Sequence, residues 1–295
     1  MVQRMSWPSD RRAEGQDIRP AQDGGHELRI APGCYDAISA SVLVQAGFKS
    51  AYLTPFGVRA TSRGYRGDLD PWLRLLDLAD QIQGLGVDYL IVDAHTGLEG
   101  ARSVAERLHD LEPLAPAAVV IEDRLTFGPS EPILITDAME RTIARSRAQL
   151  PQGTALIART DTVRISLDEA RSRCKAYLAA GADLVMPLMT PFLPHPDSEV
   201  AYGQRLDAYR FLSEVVPVDR MVIHSPTGRH LKVSDAMDLG FAVYLMPQLL
   251  VAAAATAMQL ALRSLPASRF GDWQPLPPTE LADLLGVDDW LKRRW

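Results

Sequence analysis

The chain is poor in cysteine, in net positive charge and in uninterrupted apolar sequence, and each shortage removes a class of protein. Cys34 and Cys174 are the two cysteines in 295 residues. They are too few and too far apart for a disulfide framework, and their spacing matches no metal-binding cysteine motif. A cytoplasmic, reducing setting is therefore the default expectation. The formal net charge is -6, whereas a phosphate backbone rewards concentrated positive charge, so nucleic acid is not an expected partner. Arg141, Arg145 and Arg147 lie close together, but on a solvated helix three arginines serve solubility. The opening MVQRMSWPSDRRAEGQDIRPAQDGG holds no apolar stretch of the length a secretory signal needs, and residues 1–25 read as a flexible arm. The longest apolar run, Phe241 to Leu262, is divided by Pro247 and Gln248. It reads as a buried strand followed by an alanine-rich helix, not as a membrane span.

What the chain does have is a regular alternation of short apolar runs and longer amphipathic segments. Continuous apolar runs mark strands buried on both faces, as in a parallel sheet. Runs at 28–32, 50–54, 87–92, 117–121, 154–158, 183–187, 220–224 and 242–246 predict strands. Segments at 36–46, 71–84, 99–110, 136–148, 168–180, 198–214, 233–239 and 248–262 predict the helices between them. Ala46-Gly47, Leu85-Gly86, Ala180-Gly181 and Leu239-Gly240 close four of these helices, because glycine enters the left-handed cap without a Cβ clash. Asp168, with Ser166 before it, is a candidate N-cap, as are Thr136 and Ser234. Eight βα units in one chain predict the α/β class, a single (β/α)8 TIM barrel over residues 26–264, which suits a fold of about 250 residues. Residues 265–295 read as a C-terminal helical tail with a proline-rich bend. Its Trp273, Trp290 and Trp295 would pack on the chain's own barrel or be exchanged between subunits.

Polar residues cluster where the apolar runs end. Asp93 and His95 follow the third, Glu122 and Asp123 the fourth, Arg159 and Asp161 the fifth, and His224 the seventh. In a parallel barrel all these ends open on one face, where active sites lie. Carboxylates such as Asp93 and Glu122 suit Mg2+ or Mn2+, while imidazole ligation would shift preference toward Mn2+, iron, cobalt or zinc. The planar donors of Arg159 match a carboxylate bidentately; Asp161 would orient that arginine or cap the following turn, and Asp123 would orient Arg124 or a ligand. His95 and His224 can exchange a proton near neutral pH. The plainer alternative is that Asp93 pairs with Arg159 and His95 makes an ordinary buried hydrogen bond. Arg59, Arg63 and Arg66 sit near the expected mouth, and His195 lies in the excursion PFLPHPD.

The segment PGCYDAISASVLVQAGFKSAYLT, then Asp93-Ala94-His95-Thr96-Gly97, Ile121-Glu122-Asp123, Ile157-Ala158-Arg159-Thr160-Asp161 and AYLAAGADLVMP, resembles in order the signatures of the isocitrate lyase and phosphoenolpyruvate mutase superfamily. The resemblance spans roughly residues 28 to 262. It implies a metal-dependent barrel acting on a small 2-oxo or 2-hydroxy acid, breaking or moving a C–C or C–P bond through an enolate. It implies Mg2+ held by Asp93 with Glu122 assisting through water, Arg159 on the substrate carboxylate, and the backbone of Thr54, Pro55, Phe56 and Gly57 cradling its oxygens. Arg229, after Ser225-Pro226-Thr227-Gly228, would add a second anion contact. No organic cofactor is implied, and the assembly expected is a homodimer or homotetramer.

The chain departs from the family pattern at several points. His95 stands where the third-strand signature has an acid. The stretch from Arg124 to Pro132 has neither the lysine and Cys-Gly-His of the lyases nor the asparagine or threonine of phosphonate-handling relatives. Pro187-Leu188 replaces a glutamate or histidine, and Thr54-Pro55 replaces serine-glycine, removing one N–H from the cradle. The expectation is a lyase cleaving a C–C bond by decarboxylation or by retro-aldol or Claisen chemistry, with His95, Glu122, Arg159 and His224 as catalytic residues. The alternatives are a repurposed biosynthetic enzyme performing addition, hydrolysis or rearrangement, and a non-catalytic carboxylate-binding homologue.

Overall fold

A computed structural model describes residues 28–61, 71–96, 103–124, 132–189, 198–227, 230–264 and 276–285. The N-terminal arm, Arg63, Arg66, His195, Arg229 and the three tail tryptophans lie outside the described residues. The strands are β1 (Arg29–Cys34), β2 (Ser50–Leu53), β3 (Tyr89–His95), β4 (Ala118–Glu122), β5 (Ala155–Thr160), β6 (Leu184–Pro187), β7 (Val222–His224) and β8 (Val243–Met246). They form one parallel sheet in the order β6-β5-β4-β3-β2-β1-β8-β7. A parallel bridge between Val185 and Met221 joins its two outer strands, so the sheet closes into the expected (β/α)8 barrel.

The helices are α1 (Ala37–Gln45), α2 (Pro55–Thr61), α3 (Pro71–Gly84), α4 (Val104–Leu108), α5 (Thr136–Gln149), α6 (Leu167–Ala179), α7 (Glu199–Ser213), α8 (Val233–Leu239), α9 (Leu249–Ser264) and α10 (Pro278–Leu284). Gly47, Gly86, Gly181 and Gly240 all have positive φ, as their cap role requires. The N-terminal signals were read less well. Ser166 caps α6 by accepting from the amides of Asp168 and Glu169, leaving Asp168 in the first turn, where its charge meets the helix dipole favourably. Ile135 and Lys232 hold the cap positions of α5 and α8 without a side-chain bond, so neither Thr136 nor Ser234 caps. The segment expected to be a cradling loop after β2 is instead the short helix α2.

Two apolar layers explain why the strand sequences are apolar throughout. One face of the strands fills the lumen with Tyr52, Ile91, Val120, Ile157, Met186 and Val222. The other packs Leu53, Val92, Ile121 and Ala158 under helix residues such as Leu78, Ile143 and Tyr177. Side chains alternate along a strand with period two. Asp93, Glu122, Arg159 and His224 each stand two residues beyond a lumen residue, and so all four project into the C-terminal mouth. In the tail, α10 rests against α1 of the same chain with Leu284 buried. Among the described residues no helix is long and apolar enough to cross a membrane.

The end of β1 runs close to the turn after β8, and a Cβ on Gly33 would come within 2.1 Å of the Pro247 carbonyl oxygen. Gly33→Ala therefore forces one backbone away from another and is expected to cost about 1–3 kcal/mol, the usual range for overpacking. Gly203→Ala, in α7 with nothing within 4 Å, is expected to stabilise by about 0.5–1 kcal/mol. Urea denaturation midpoints check both, and an unchanged midpoint for Gly33→Ala contradicts the close approach.

Candidate active site

Glu122 ends β4 directly opposite Arg159 of β5 in the parallel register, and this pair is the centre of the mouth. Arg159 Nη1 lies 2.9 Å from Glu122 Oε2. Its other edge is clamped by Asp161, with Nε donating to Oδ1 at 2.7 Å and Nη2 to Oδ2 at 3.0 Å. Burial opposes the guanidinium's charge, but the Glu122 and Asp161 carboxylates outweigh it and push its pKa well up. Arg159 is thus a permanently charged fork whose plane is set from two sides. Asp93 is not among its ion-pair partners, so the plainer Asp93–Arg159 pairing does not hold.

Burial likewise raises the pKa of Glu122, yet Arg159 first, then His95 and Arg124, outweigh it and hold the carboxyl down at about 2. His95 Nδ1 is in contact with Glu122 Oε1, and Arg124 Nε stands 3.7 Å from the same oxygen. His95 reaches Glu122 because β3 carries a register irregularity between Asp93 and His95, and such irregularities re-aim side chains. Its φ of 52° is left-handed and strained for a residue with a Cβ. The conformation is held by its N–H, which donates to Asp93 Oδ1 at 3.0 Å, together with the ring contact to Glu122.

Asp93 accepts a second bond on Oδ2 from the Tyr52 hydroxyl at 2.7 Å. Burial, then the adjacent Asp93 charge, pushes the phenol well up, so Tyr52 remains a donor. Tyr52 was not singled out from the sequence, although it pairs with Ile91 in the register, and Ile91 is the lumen residue just below Asp93. Behind the mouth, Asp123 faces the helices and not a ligand or Arg124, correcting the expectation. It accepts from Thr160 Oγ1 at 2.7 Å, Tyr177 at 2.9 Å and Arg173 Nη1 at 3.3 Å. The Asp161 amide donates to its Oδ1 at 3.1 Å. Asp123 therefore fixes the backbone that carries the clamp on Arg159.

Two expected roles change. His224 reaches the mouth, but burial and then the Arg159 charge lower its pKa to about 3. It is a neutral imidazole near neutral pH, able to hydrogen-bond but unable to supply a proton as imidazolium. Thr54 closes its own turn, its Oγ1 accepting from the Gly57 amide at 3.0 Å. Since Pro55 has no N–H and the Gly57 amide is turned to Thr54, two of the four backbone groups of the expected cradle do not face an anion as free donors. Cys34 is buried with its thiol pushed up to about 11, chiefly by that burial.

Among the described residues no group of three or more histidine, cysteine, aspartate or glutamate side chains is arranged to hold a metal ion. That excludes an all-protein cage there but fits magnesium, which keeps water and substrate oxygens beside one or two carboxylates. Neither Glu122 oxygen receives an aligned hydrogen bond, and Asp93 retains lone pairs beyond its two accepted bonds. His95 Nδ1 is turned to Glu122 and is not set to ligate a metal.

A closed parallel barrel with buried carboxylates and a clamped arginine at its C-terminal mouth places the chain in the (β/α)8 class. The sequence model of the phosphoenolpyruvate phosphomutase family matches residues 23–265. The chain belongs to that family, within the isocitrate lyase and phosphoenolpyruvate mutase superfamily. It is 30% identical over 184 residues to the 2-methylisocitrate lyase of Shewanella oneidensis, covering 58% of this chain and 61% of that one. It is 33% identical over 183 residues to an oxaloacetate decarboxylase of Bradyrhizobium sp., covering 58% and 62%. The chain thus spans about three fifths of the length of each of these relatives. The solved structure of oxaloacetate acetylhydrolase with its product oxalate superposes with a TM-score of 0.73 at 26% identity, covering 91% of this chain and 92% of that one.

Because the folded-state pKa of Glu122 is depressed, the stability it confers is fully present above its ordinary value near 4.5. That stability is lost as pH falls toward about 2. Glu122→Gln leaves Arg159 and His95 facing a neutral amide and is expected to cost about 3–5 kcal/mol at pH 7. It should also flatten the acid limb of stability. Urea midpoints followed from about pH 7 to pH 3 check this, and an acid limb as steep as that of the parent contradicts it.

Proposed function

We propose that the chain is a lyase that cleaves a C–C bond of a small 2-oxo or 2-hydroxy carboxylic acid, by decarboxylation or retro-aldol or Claisen chemistry, through an enolate at the barrel mouth. The observation that carries this reading is the clamped guanidinium of Arg159 standing among Glu122, Asp161 and the nearby Asp93. A lone buried ion pair needs no such two-sided positioning. A substrate carboxylate on Arg159 would be oriented before reaction, and orientation is a large part of the barrier in such cleavages. The names of the relatives, a lyase and a decarboxylase, support the same reading.

Asp93 and Glu122 are the residues that would hold Mg2+, or Mn2+, which when bound supplies positive charge at the developing enolate oxygen. Arg159 holds the carboxylate end of the substrate, and Asp161 keeps the guanidinium plane fixed as charge moves. In decarboxylation CO2 leaves and the electron pair of the broken C–C bond stays on the enolate carbon, which must then gain a proton; in retro-aldol cleavage the substrate hydroxyl also gives up its proton as it becomes the carbonyl of the departing fragment. We assign that transfer to His95, whose ring Glu122 orients through Nδ1 so that Nε2 is the exchanging atom. Tyr52 holds the Asp93 carboxyl group in place through its hydroxyl. His224 adds a hydrogen-bonding group without adding charge.

An assay of the purified protein with Mg2+ against oxaloacetate, 2-methylisocitrate and 2,3-dimethylmalate tests this. Turnover of at least one acid is expected, lost on chelation and restored by Mg2+ or Mn2+, with Arg159→Ala lowering kcat/KM by roughly 10²–10³-fold or more. Full turnover in Asp93→Ala and Glu122→Ala after chelation would overturn the metal-enolate reading. Tight binding of these acids with no turnover would make the chain a carboxylate binder instead.

A further inference from the structure

Helix α6 buries Ala170, Arg173, Cys174 and Tyr177 against the outside of the barrel, so a guanidinium and a phenol enter a layer that elsewhere is apolar. Helix α3 seals its part of that layer with Trp72, Leu75, Leu78, Ala79 and Ile82. A buried charge with its partners seldom stabilises more than an apolar face of the same size, and what it can add is a fixed geometry. Here the bonds converge on Asp123. The Tyr177 hydroxyl donates to Asp123 Oδ2 at 2.9 Å. Arg173 Nη1 donates to the same oxygen at 3.3 Å, to the Tyr177 hydroxyl at 3.1 Å and to the Leu134 carbonyl at 2.6 Å. Its Nε is held by Glu169 Oε1 at 2.7 Å.

Asp123 in turn is tied to both sides of the Arg159 clamp. Its amide donates to the Arg159 carbonyl at 3.2 Å, and its Oδ1 accepts from the Asp161 amide at 3.1 Å. Its Oδ2 also accepts from Thr160 Oγ1, between those two residues, at 2.7 Å. If the Asp123 carboxylate turned, it would release the amide of Asp161, whose own carboxylate grips Arg159 through Nε and Nη2. Tyr177 and Arg173 oppose that turn from the far side of the sheet. We infer that Tyr177, together with Arg173, is a positioning residue: a relay from α6 through Asp123 and Asp161 sets the plane of the Arg159 guanidinium. Such supporting bonds matter because a site group must be held to within about 0.5 Å, and a displacement of about 1 Å can cost on the order of 10²-fold in rate. This rests on the lyase reading only for the carboxylate that Arg159 would hold; the relay is a property of the protein alone.

The direct readout is hydrogen exchange at Arg159 Nε–H, followed by 1H–15N NMR on the full chain, with the signal identified by its loss in Arg159→Lys. Tyr177→Phe removes the hydroxyl and keeps the ring, and it is expected to speed that exchange about tenfold, the worth of one hydrogen bond. Calorimetry with oxalate and Mg2+ should show Kd weakened by about the same factor with the stoichiometry unchanged. Ala176→Gly serves as the control, since it weakens α6 without touching the relay and should alter neither reading. Exchange as slow as in the parent, or speeded equally by Ala176→Gly, overturns the inference. A fall in stoichiometry at unchanged Kd overturns it too, because that marks ordinary helix packing. Should Tyr177→Phe fail to fold, Arg173→Lys, which keeps the charge but loses the fork, decides by the same readings. Exchange that depends on Tyr177 in a protein that neither binds oxalate nor turns over an acid would sink the lyase reading alone. Turnover with exchange indifferent to Tyr177 would sink this inference alone.

Discussion

A buried charge survives only when it is paired, and the ion cluster of Glu122, Arg159 and Asp161 is the constraint on which the mouth of this barrel depends. Each member is almost fully buried, so each would be costly alone. Glu122 is ionised because Arg159 and His95 stand against it, and Arg159 keeps one orientation because Asp161 and Glu122 grip it from two sides. The neutral state of His224 follows partly from the same guanidinium. Removing one member would therefore change the protonation and placement of the others, which makes the cluster a single functional unit.

The barrel makes this cluster possible through the simplest property of a strand, its two-sided alternation. The parity that sends Ile91, Val120, Ile157 and Val222 into the lumen also sends the polar residues two positions on to its open end. The opposite parity sends Asp123 and Thr160 toward α6, where Tyr177 and Arg173 donate to Asp123 and Thr160 bonds Asp123 and Thr162. The mouth is thereby braced from behind by a second buried polar network, joined to the first by the bond from the Asp161 amide to Asp123. Rigid strands and a fully bonded rear layer are what a site needs if it is to hold a guanidinium in one plane.

Much of this was legible in the residues, and the exceptions have physical causes. Eight apolar runs of strand length, glycine stops after the helices and polar residues at the run ends were enough for the barrel and for bringing Asp93, Glu122, Arg159 and His95 to one face. The family resemblance was likewise carried by their order. Thr54 to Gly57 was read as an open cradle because its fate turns on one local bond, the Thr54 hydroxyl accepting the Gly57 amide, which no pattern announces. That His224 stays neutral could not be read from the sequence, because its pKa is lowered by burial first and then by Arg159 from another strand. The reach of His95 depends on an irregularity between β3 and β4, and Tyr52 was passed over as an ordinary core aromatic because its partner Asp93 lies on the neighbouring strand.

The central claim is that the cluster is a receptacle for a carboxylate and not merely a knot of charges that holds strands together. The most direct test is a crystal structure of the protein soaked with oxalate and Mg2+. The account places a carboxylate of oxalate within hydrogen-bonding distance of the Arg159 guanidinium, with the cation on the side of Asp93 and Glu122 and the Asp161 clamp intact. Oxalate bound elsewhere, with Arg159 still enclosed by Glu122 and Asp161 and the mouth filled by packed side chains, would contradict it.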